Sequence, residues 1–276
     1  MVFKIKSRTY AKHNFPLIVG VLNLTPDSFY DGGKYNTIDK ILKKVEKMVK
    51  EGVDILDIGG ESTRPFSKRI SSSLEIKRLL SPLRKIKKNF DIPISVDTMK
   101  SEVAEVCLSE GAEIINDATG LMFDQKIAKV VARYNAALII NHTPDMPERM
   151  QEKPYYINIT EEIKSFFHKN IIFSLKAGIS KESIVLDPGI GFGKNLSHNI
   201  ELIKNIKEFK KLKLPLMYGV SNKTFIGEIT KVKNPRKRII GSIVTANTCI
   251  RNGVEMIRVH NVKETKQMIS IWSELE

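Results

Sequence analysis

Residues 93–117 read PISVDTMKSEVAEVCLSEGAEIIND. A β-branched run, Pro93–Asp97, ends in a carboxylate. A helical pattern over 100–110 follows, Gly111 closes it, and a second run, Glu113–Asp117, ends in an amide and a carboxylate. Strand, helix and strand in this order make a βαβ unit. The same alternation continues in both directions. Strands are expected at Leu17–Leu24, Val53–Gly59, Ala137–Asn141, Ser183–Asp187, Pro215–Val220 and Glu255–Val259, with helices near 37–51, 73–89, 125–135, 160–178, 198–211, 240–252 and 262–274. In helix 163–176, Ile163, Phe166, Phe167, Ile171, Phe173 and Leu175 recur near helical spacing, so this stripe is expected to pack inward. Gly52, Gly111, Gly178 and Gly253 each follow a helical run and precede a strand, where a left-handed C-cap turns the chain back.

Eight such units in 276 residues match a closed barrel better than a doubly wound open sheet. The expectation is an α/β fold: a single (β/α)8 TIM barrel over residues 1–276, with long loops after strands 1 and 2. No linker or low-complexity tract divides it.

Composition narrows the function classes. With 42% hydrophobic and 28% charged residues, the chain is of ordinary globular kind. The N-terminal Met-Val-Phe-Lys-Ile-Lys offers no signal-like apolar run, and no later stretch is long enough to span a bilayer, so a soluble cytoplasmic protein with no membrane partner is expected. Cys107 and Cys249 lie in apolar helical patterns without metal-ligand spacing and read as buried, inert thiols. The formal charge of +14 comes mostly from lysine, 34 against 11 arginines, spread over many segments whose densest runs, apart from Phe209, lack aromatic interleaving; no nucleic-acid partner is expected.

In a barrel of this kind chemistry sits at the C-terminal mouth of the strands. Asn23, Asp57, Asp97, Asn116 with Asp117, Asn141 with His142, Asp187, Ser221 with Lys223, and Arg258 with His260 all fall at expected strand ends or just past them. Buried carboxylates need donors, and a ligand rich in N–H groups can supply them at an open mouth. Asp97, Asn116 and Asp187 suit the edge of a flat heterocycle, while Arg258, His260 and Asn23 suit a phosphate or diphosphate, with Mg2+ in attendance. The polar loops Thr25–Gly33 and Gly59–Pro65 read as binding loops. Asp187-Pro188-Gly189-Ile190-Gly191-Phe192-Gly193-Lys194 lacks the third glycine of a dinucleotide fingerprint, and no helix is expected immediately after it; it reads as a loop presenting Phe192 to a flat ring.

Taken together, Gly20–Phe29, Glu61–Pro65, Ser95–Thr98, Ile115–Asp117, Asp187–Lys194, Gly219–Lys223 and Arg258–His260 resemble the signature blocks of the dihydropteroate synthases, in family order over nearly the whole chain. The resemblance implies an enzyme joining 6-hydroxymethyl-7,8-dihydropterin diphosphate to 4-aminobenzoate, a target of sulfonamides. It places Asp97, Asn116, Asp187, Lys223 and Arg258 around the pterin, and Asn23, Arg258 and His260 around the diphosphate. Asn23 would help place Mg2+, and Thr63, Arg64, Pro65, Phe192 and Ser221 would surround 4-aminobenzoate, with Asp31 on the first loop. Asp97, Asp187, Lys223 and Arg258 would carry the catalysis, in a homodimer formed through the late helices.

Three positions depart from the family pattern: Phe66 where a small residue is usual, Asn222 where Arg is usual, and Asn141-His142-Thr143 where Met-His-Met is usual. A corrinoid-type pterin methyltransferase would share the barrel and the strand-end Asp and Asn set, but not the Ser-Thr-Arg-Pro loop or the Arg258/His260 pair. A catalytically altered pterin-binding paralogue would bind the pterin without turnover.

Overall fold

The computed structural model describes residues 1–6, 8–25, 37–62 and 67–275. Its elements run β1 (Phe3–Ile5), β2 (Arg8–Tyr10), β3 (Leu17–Asn23), α1 (Thr37–Lys50), β4 (Ile55–Gly59), α2 (Ser72–Asn89), β5 (Ile94–Asp97), α3 (Ser101–Ser109), β6 (Ile114–Asp117) and α4 (Lys126–Arg133). There follow β7 (Ala137–Asn141), α5 (Ile159–Lys176), β8 (Ile184–Asp187), α6 (Leu196–Lys204), α7 (Ile206–Lys210), β9 (Met217–Tyr218), α8 (Thr224–Thr230), α9 (Ile239–Arg251), β10 (Met256–Val259) and α10 (Val262–Leu275). Eight strands pair in parallel in the order β8-β7-β6-β5-β4-β3-β10-β9, and a single bridge between Leu186 and Leu216 closes the ring between β8 and β9. The expected barrel is present.

Strand alternation divides the apolar residues into two bodies. Outward positions such as Ile18, Leu22, Leu56, Ile58, Val96, Ile115 and Leu138 pack against the helices. Inward positions Leu17, Val19, Ile55, Ile114, Ala137, Ile139, Val185, Met217 and Met256 fill the barrel's lower half. Because both faces are buried, the strands read as continuous apolar runs. The antiparallel hairpin of β1 and β2 seals the lower end, with Phe3 and Ile5 inside the inner body. Three-residue strands are too short to declare a period, so this plug is not apparent from sequence pattern.

Other elements refine the sequence reading. Gly52, Gly111, Gly178 and Gly253 all have positive φ, as their capping role requires. Strand β9 is two residues long instead of six. The helix expected over 198–211 breaks at Asn205, whose side chain donates to Thr160 Oγ1 at 3.0 Å. Helix α8 is not among the expected elements: it has seven residues and contains Gly227, where a Cβ would stand 2.5 Å from the Arg238 guanidinium. On α5, Ile163 and Phe167 are buried as expected, but Leu175 is exposed and Asn170 and Ser174 complete the inner face. Cys107 and Cys249 are free and buried, and burial pushes the Cys107 thiol up to about 12. Among the described residues no helix is long and apolar enough to cross a membrane.

Since Phe3 is fully buried at the foot of the barrel, Phe3→Ala is expected to cost about 3 kcal/mol of stability in urea unfolding. A loss under about 0.5 kcal/mol would mean the hairpin is not part of the cooperative unit.

Candidate active site

The inward alternation that fills the barrel with apolar groups turns polar at the mouth. One step above Ile55 stands Asp57, above Ser95 Asp97, above Ile114 Asn116, above Ile139 Asn141, above Val185 Asp187, and above Met256 Arg258. Strand register sets these groups side by side: Asp97 pairs with Asn116, and Asn141 with Asp187. All of them but Asp57 line one cavity, together with Ala118, Gly189, Ile190, Phe192, Gly219 and Lys223. Asp57 lies beneath it, fully buried. Asp97, Asn116, Asp187, Lys223 and Arg258, the five residues expected around a flat ring, therefore share one cavity.

Arg258 organises this ring. Its Nε donates to Asp57 Oδ2 at 2.6 Å and its Nη2 to Asp97 Oδ2 at 2.9 Å. Asn116 Nδ2 donates to the same Asp57 oxygen at 3.2 Å. Burial opposes the Arg258 charge, but Asp57 and Asp97 more than offset it and raise its pKa. Burial pushes the Asp97 carboxyl up to about 7, against the pull of Arg258 and with the help of the Asp57 charge. It pushes Asp187 up to about 6, although Gly189 N donates to its Oδ1 at 2.8 Å. Lys223 falls to about 8, through burial and then the nearby Arg258. Among the buried polar atoms that have no hydrogen-bond partner among the described residues, four oxygens belong to these strand-end groups: Asp57 Oδ1, Asp97 Oδ1, Asn116 Oδ1 and Asn141 Oδ1. Of these, Asp97 Oδ1 and Asn116 Oδ1 belong to cavity-lining residues, and acceptors left open at such depth suit a ligand that brings N–H donors.

The remaining expected residues distribute around the rim. Phe192 lines the cavity, with the Lys223 ammonium 4.5 Å from its ring centre. Ser221 Oγ lies 3.2 Å from His260 Nδ1, joining the β9 and β10 ends. Asn23 pairs with Gly59, which in turn pairs with Asp97. A Cβ on Gly59 would stand 3.6 Å from Asp97 Cβ and 3.9 Å from Asn23 Oδ1, so the glycine leaves a gap between them. Asn23, Ser221 and His260 flank the cavity and do not line it. Asp31, Thr63, Arg64, Pro65 and Phe66 lie outside the described residues.

Two strand-end groups turn away from the cavity. Asp117 faces outward and caps its own loop, accepting from Thr119 N at 2.9 Å and Leu121 N at 2.7 Å. His142 points into a buried pocket beside Lys194, whose ammonium lies 3.1 Å from His142 Nδ1 and donates to Phe192 O at 2.8 Å. Lys194 thus anchors the loop that carries Phe192. Contrary to the sequence reading, a helix does begin close behind this loop, at Leu196, capped by Asn195. Asn222 sits at φ +61°, a conformation that asparagine tolerates, and its N–H donates to Ser242 Oγ at 2.9 Å. Arg238 holds the same turn by donating to Asn222 O at 3.1 Å and Lys223 O at 3.3 Å. Asp57, Lys194 and Arg238 act through other residues, and sequence spacing gives no hint of those pairings.

A barrel mouth with open acceptors, a clamped guanidinium and a lysine over an aromatic ring defines an enzyme site for a flat, N–H-rich anion. The family model of pterin binding enzymes matches residues 19–260. A dihydropteroate synthase from Clostridium beijerinckii is 40% identical over 266 residues, 96% of this chain and 93% of that one. The crystal structure of the Clostridium difficile dihydropteroate synthase, determined in the presence of pteroic acid, superposes with a TM-score of 0.91 at 40% identity, covering 96% of this chain and 98% of that one. That of Xanthomonas albilineans with 4-aminobenzoic acid has a TM-score of 0.92 at 31% identity, covering 99% and 97%. The chain belongs to the dihydropteroate synthase family of pterin-binding enzymes.

A carboxyl whose pKa is raised by folding holds its proton longer in the native state, so it favours folding at low pH and loses that effect as pH rises. For Asp97 the window runs from about 4 to about 7. The unliganded protein is expected to lose melting temperature across this range, and Asp97→Asn to flatten the profile. Parallel profiles for the two proteins would show that Asp97 is not held in its neutral form.

Proposed function

We propose that the protein condenses 6-hydroxymethyl-7,8-dihydropterin diphosphate with 4-aminobenzoate to give 7,8-dihydropteroate and diphosphate, in the cytoplasm, as a step of folate synthesis. The observation that carries this reading is the set of open acceptors, Asp97 Oδ1 and Asn116 Oδ1 foremost, in one cavity with Lys223 and Arg258. A pterin edge offers N–H groups to the acceptors and lone pairs to Lys223. The relatives crystallised with pteroic acid and with 4-aminobenzoic acid support the same pair of substrates.

In the reaction the bond from the pterin methylene carbon to the diphosphate oxygen breaks, and its electron pair leaves with diphosphate. The amine of 4-aminobenzoate attacks the methylene cation and then releases a proton to solvent. Asp97 and Asp187 favour the cation once ring N–H donors hold them ionised, and Arg258 with His260 favours the departing anion. Arg258 stays charged between its two carboxylates, and the clamp fixes its plane beneath the ring. Lys223 holds the ring from the side of Phe192. Thr63, Arg64, Pro65, Phe192 and Ser221 would form the second-substrate pocket, with Asp31 on the first loop.

Among the described residues no group of three His, Cys, Asp or Glu is placed to hold a metal. Mg2+ keeps several waters and takes oxygens from substrate phosphates, so one protein oxygen suffices, and Asn23 Oδ1 beside the Gly59 gap fits that part. When bound, the ion would neutralise charge gathering on diphosphate. We further propose a homodimer through α9 and α10, where Ile240 (77%), Val244 (61%), Ile271 (64%) and Leu275 (80%) are unusually exposed for apolar residues.

Two measurements test these readings. Calorimetry with the pterin diphosphate, followed by product detection after adding 4-aminobenzoate, is expected to show binding and turnover in the wild type. For Asp97→Asn the expectation is binding weakened at least about a hundredfold, because a charged acceptor is lost from the ring edge; unchanged affinity would remove the assignment. Val244→Glu is expected to shift the protein to monomers in sedimentation, and an intact dimer would place the interface elsewhere.

A further inference from the structure

We infer that Asn141 is a ring-recognition residue: its side-chain amide hydrogen-bonds the edge of the bound heterocycle, and the fold gives up stability to keep it there. This rests on the reading that the cavity takes a pterin.

Ala137 and Ile139 on β7 belong to the apolar interior of the barrel. Asn141 is the next inward position, paired across to Asp187 on β8, and its side chain lines the cavity while only 5% of the residue is exposed. Its Oδ1 is buried without a partner among the described residues. The turn after β8 folds tightly over it: Gly189 has φ +71°, and a Cβ there would stand 2.6 Å from Asn141 Oδ1 and 2.0 Å from His142 O. With Oδ1 turned to Gly189, the NH2 end is the part available to the cavity.

A buried amide oxygen with no partner weakens the unliganded fold, and leucine, of nearly the same shape, would remove that deficit beside Ile139. The amide therefore has no role in packing, but it has one in recognition. The other groups of the mouth are weighted toward acceptors, Asp97, Asn116 and Asp187, with the Lys223 ammonium as donor and the Arg258 guanidinium already donating to Asp57 and Asp97. A heterocycle that carries ring lone pairs as well as N–H groups needs a further donor, and Asn141 supplies it.

The test measures the Kd of 6-hydroxymethyl-7,8-dihydropterin diphosphate by calorimetry, and the melting temperature without ligand, for the wild type, Asn141→Leu and Asn141→Ala. Asn141→Leu is expected to bind about tenfold more weakly while melting at the same temperature or about 2 °C higher. Asn141→Ala, which adds no bulk, is expected to weaken binding to a similar degree, and it carries the test alone should the leucine variant not fold. A Kd within about twofold of wild type in either variant would overturn the proposal, as would a lower melting temperature for Asn141→Leu, since the amide would then have a partner within the protein. Failure of the wild type to bind the pterin diphosphate at all would instead overturn the reading of the cavity.

Discussion

The guanidinium of Arg258, held between the carboxylates of Asp57 and Asp97, ties the last barrel strand to the second and third across the mouth. Without it, two carboxylates would face each other in a poorly solvated space, and removing one partner of a buried pair leaves an uncompensated charge that costs several kcal/mol. The clamp uses one oxygen of each carboxylate and leaves the other open. It therefore satisfies two needs at once: the ring of charges becomes tolerable in the empty protein, and acceptors remain for a ligand. Asn116 joins the same arrangement by donating to Asp57, and its own oxygen stays without a partner.

Around this fixed ring the loops are anchored by buried cations outside the cavity lining. Lys194 holds the carbonyl of Phe192 and so the ring that lies under Lys223. Lys100 donates to Glu75 at 2.7 Å and also bonds Glu61, whose other oxygen accepts from Ile70 N at 3.0 Å. That carboxylate thereby joins the two sides of the loop after β4. Preorganisation of this kind is how a site on loops acquires the precision of one on strands.

The alternation of residues 93–117 and its repetition along the chain make the barrel legible, because burial on both faces imposes an apolar strand and a period of two places the polar residue at each strand's end. Asp97, Asn116, Asp187 and Arg258 are readable for that reason, whereas Lys223, five residues past β9, is readable from the signature block that carries it. What spacing cannot convey is which direction the last side chain takes. Asn116 and Asp117 are neighbours in sequence and face opposite sides of the sheet, so Asn116 enters the cavity while Asp117 caps a loop. Nor can spacing convey pairings between distant segments, such as Arg258 with Asp57 or Lys194 with His142. Short elements are equally opaque. The β1–β2 hairpin and α8 fall below the length at which a pattern exceeds chance, and each is held by tertiary contacts, Phe3 in the barrel floor and Gly227 under Arg238.

The pairing of β3 with β10 has a consequence for how the molecule comes into being. Leu17 lies beside Met256, and Phe3 packs in the same interior body as Met217 and Met256, so residues translated early meet their neighbours only after more than two hundred others have been made. Contacts so distant along the chain close slowly, since loop entropy must be overcome before they form. The arc from β3 to β8 can assemble during synthesis, but the circle is completed only when the C-terminal segment has left the ribosome. Arg258 arrives with that segment. The nascent arc thus carries Asp57 and Asp97 without their counter-ion, and closure of the cylinder and neutralisation of its mouth are a single event.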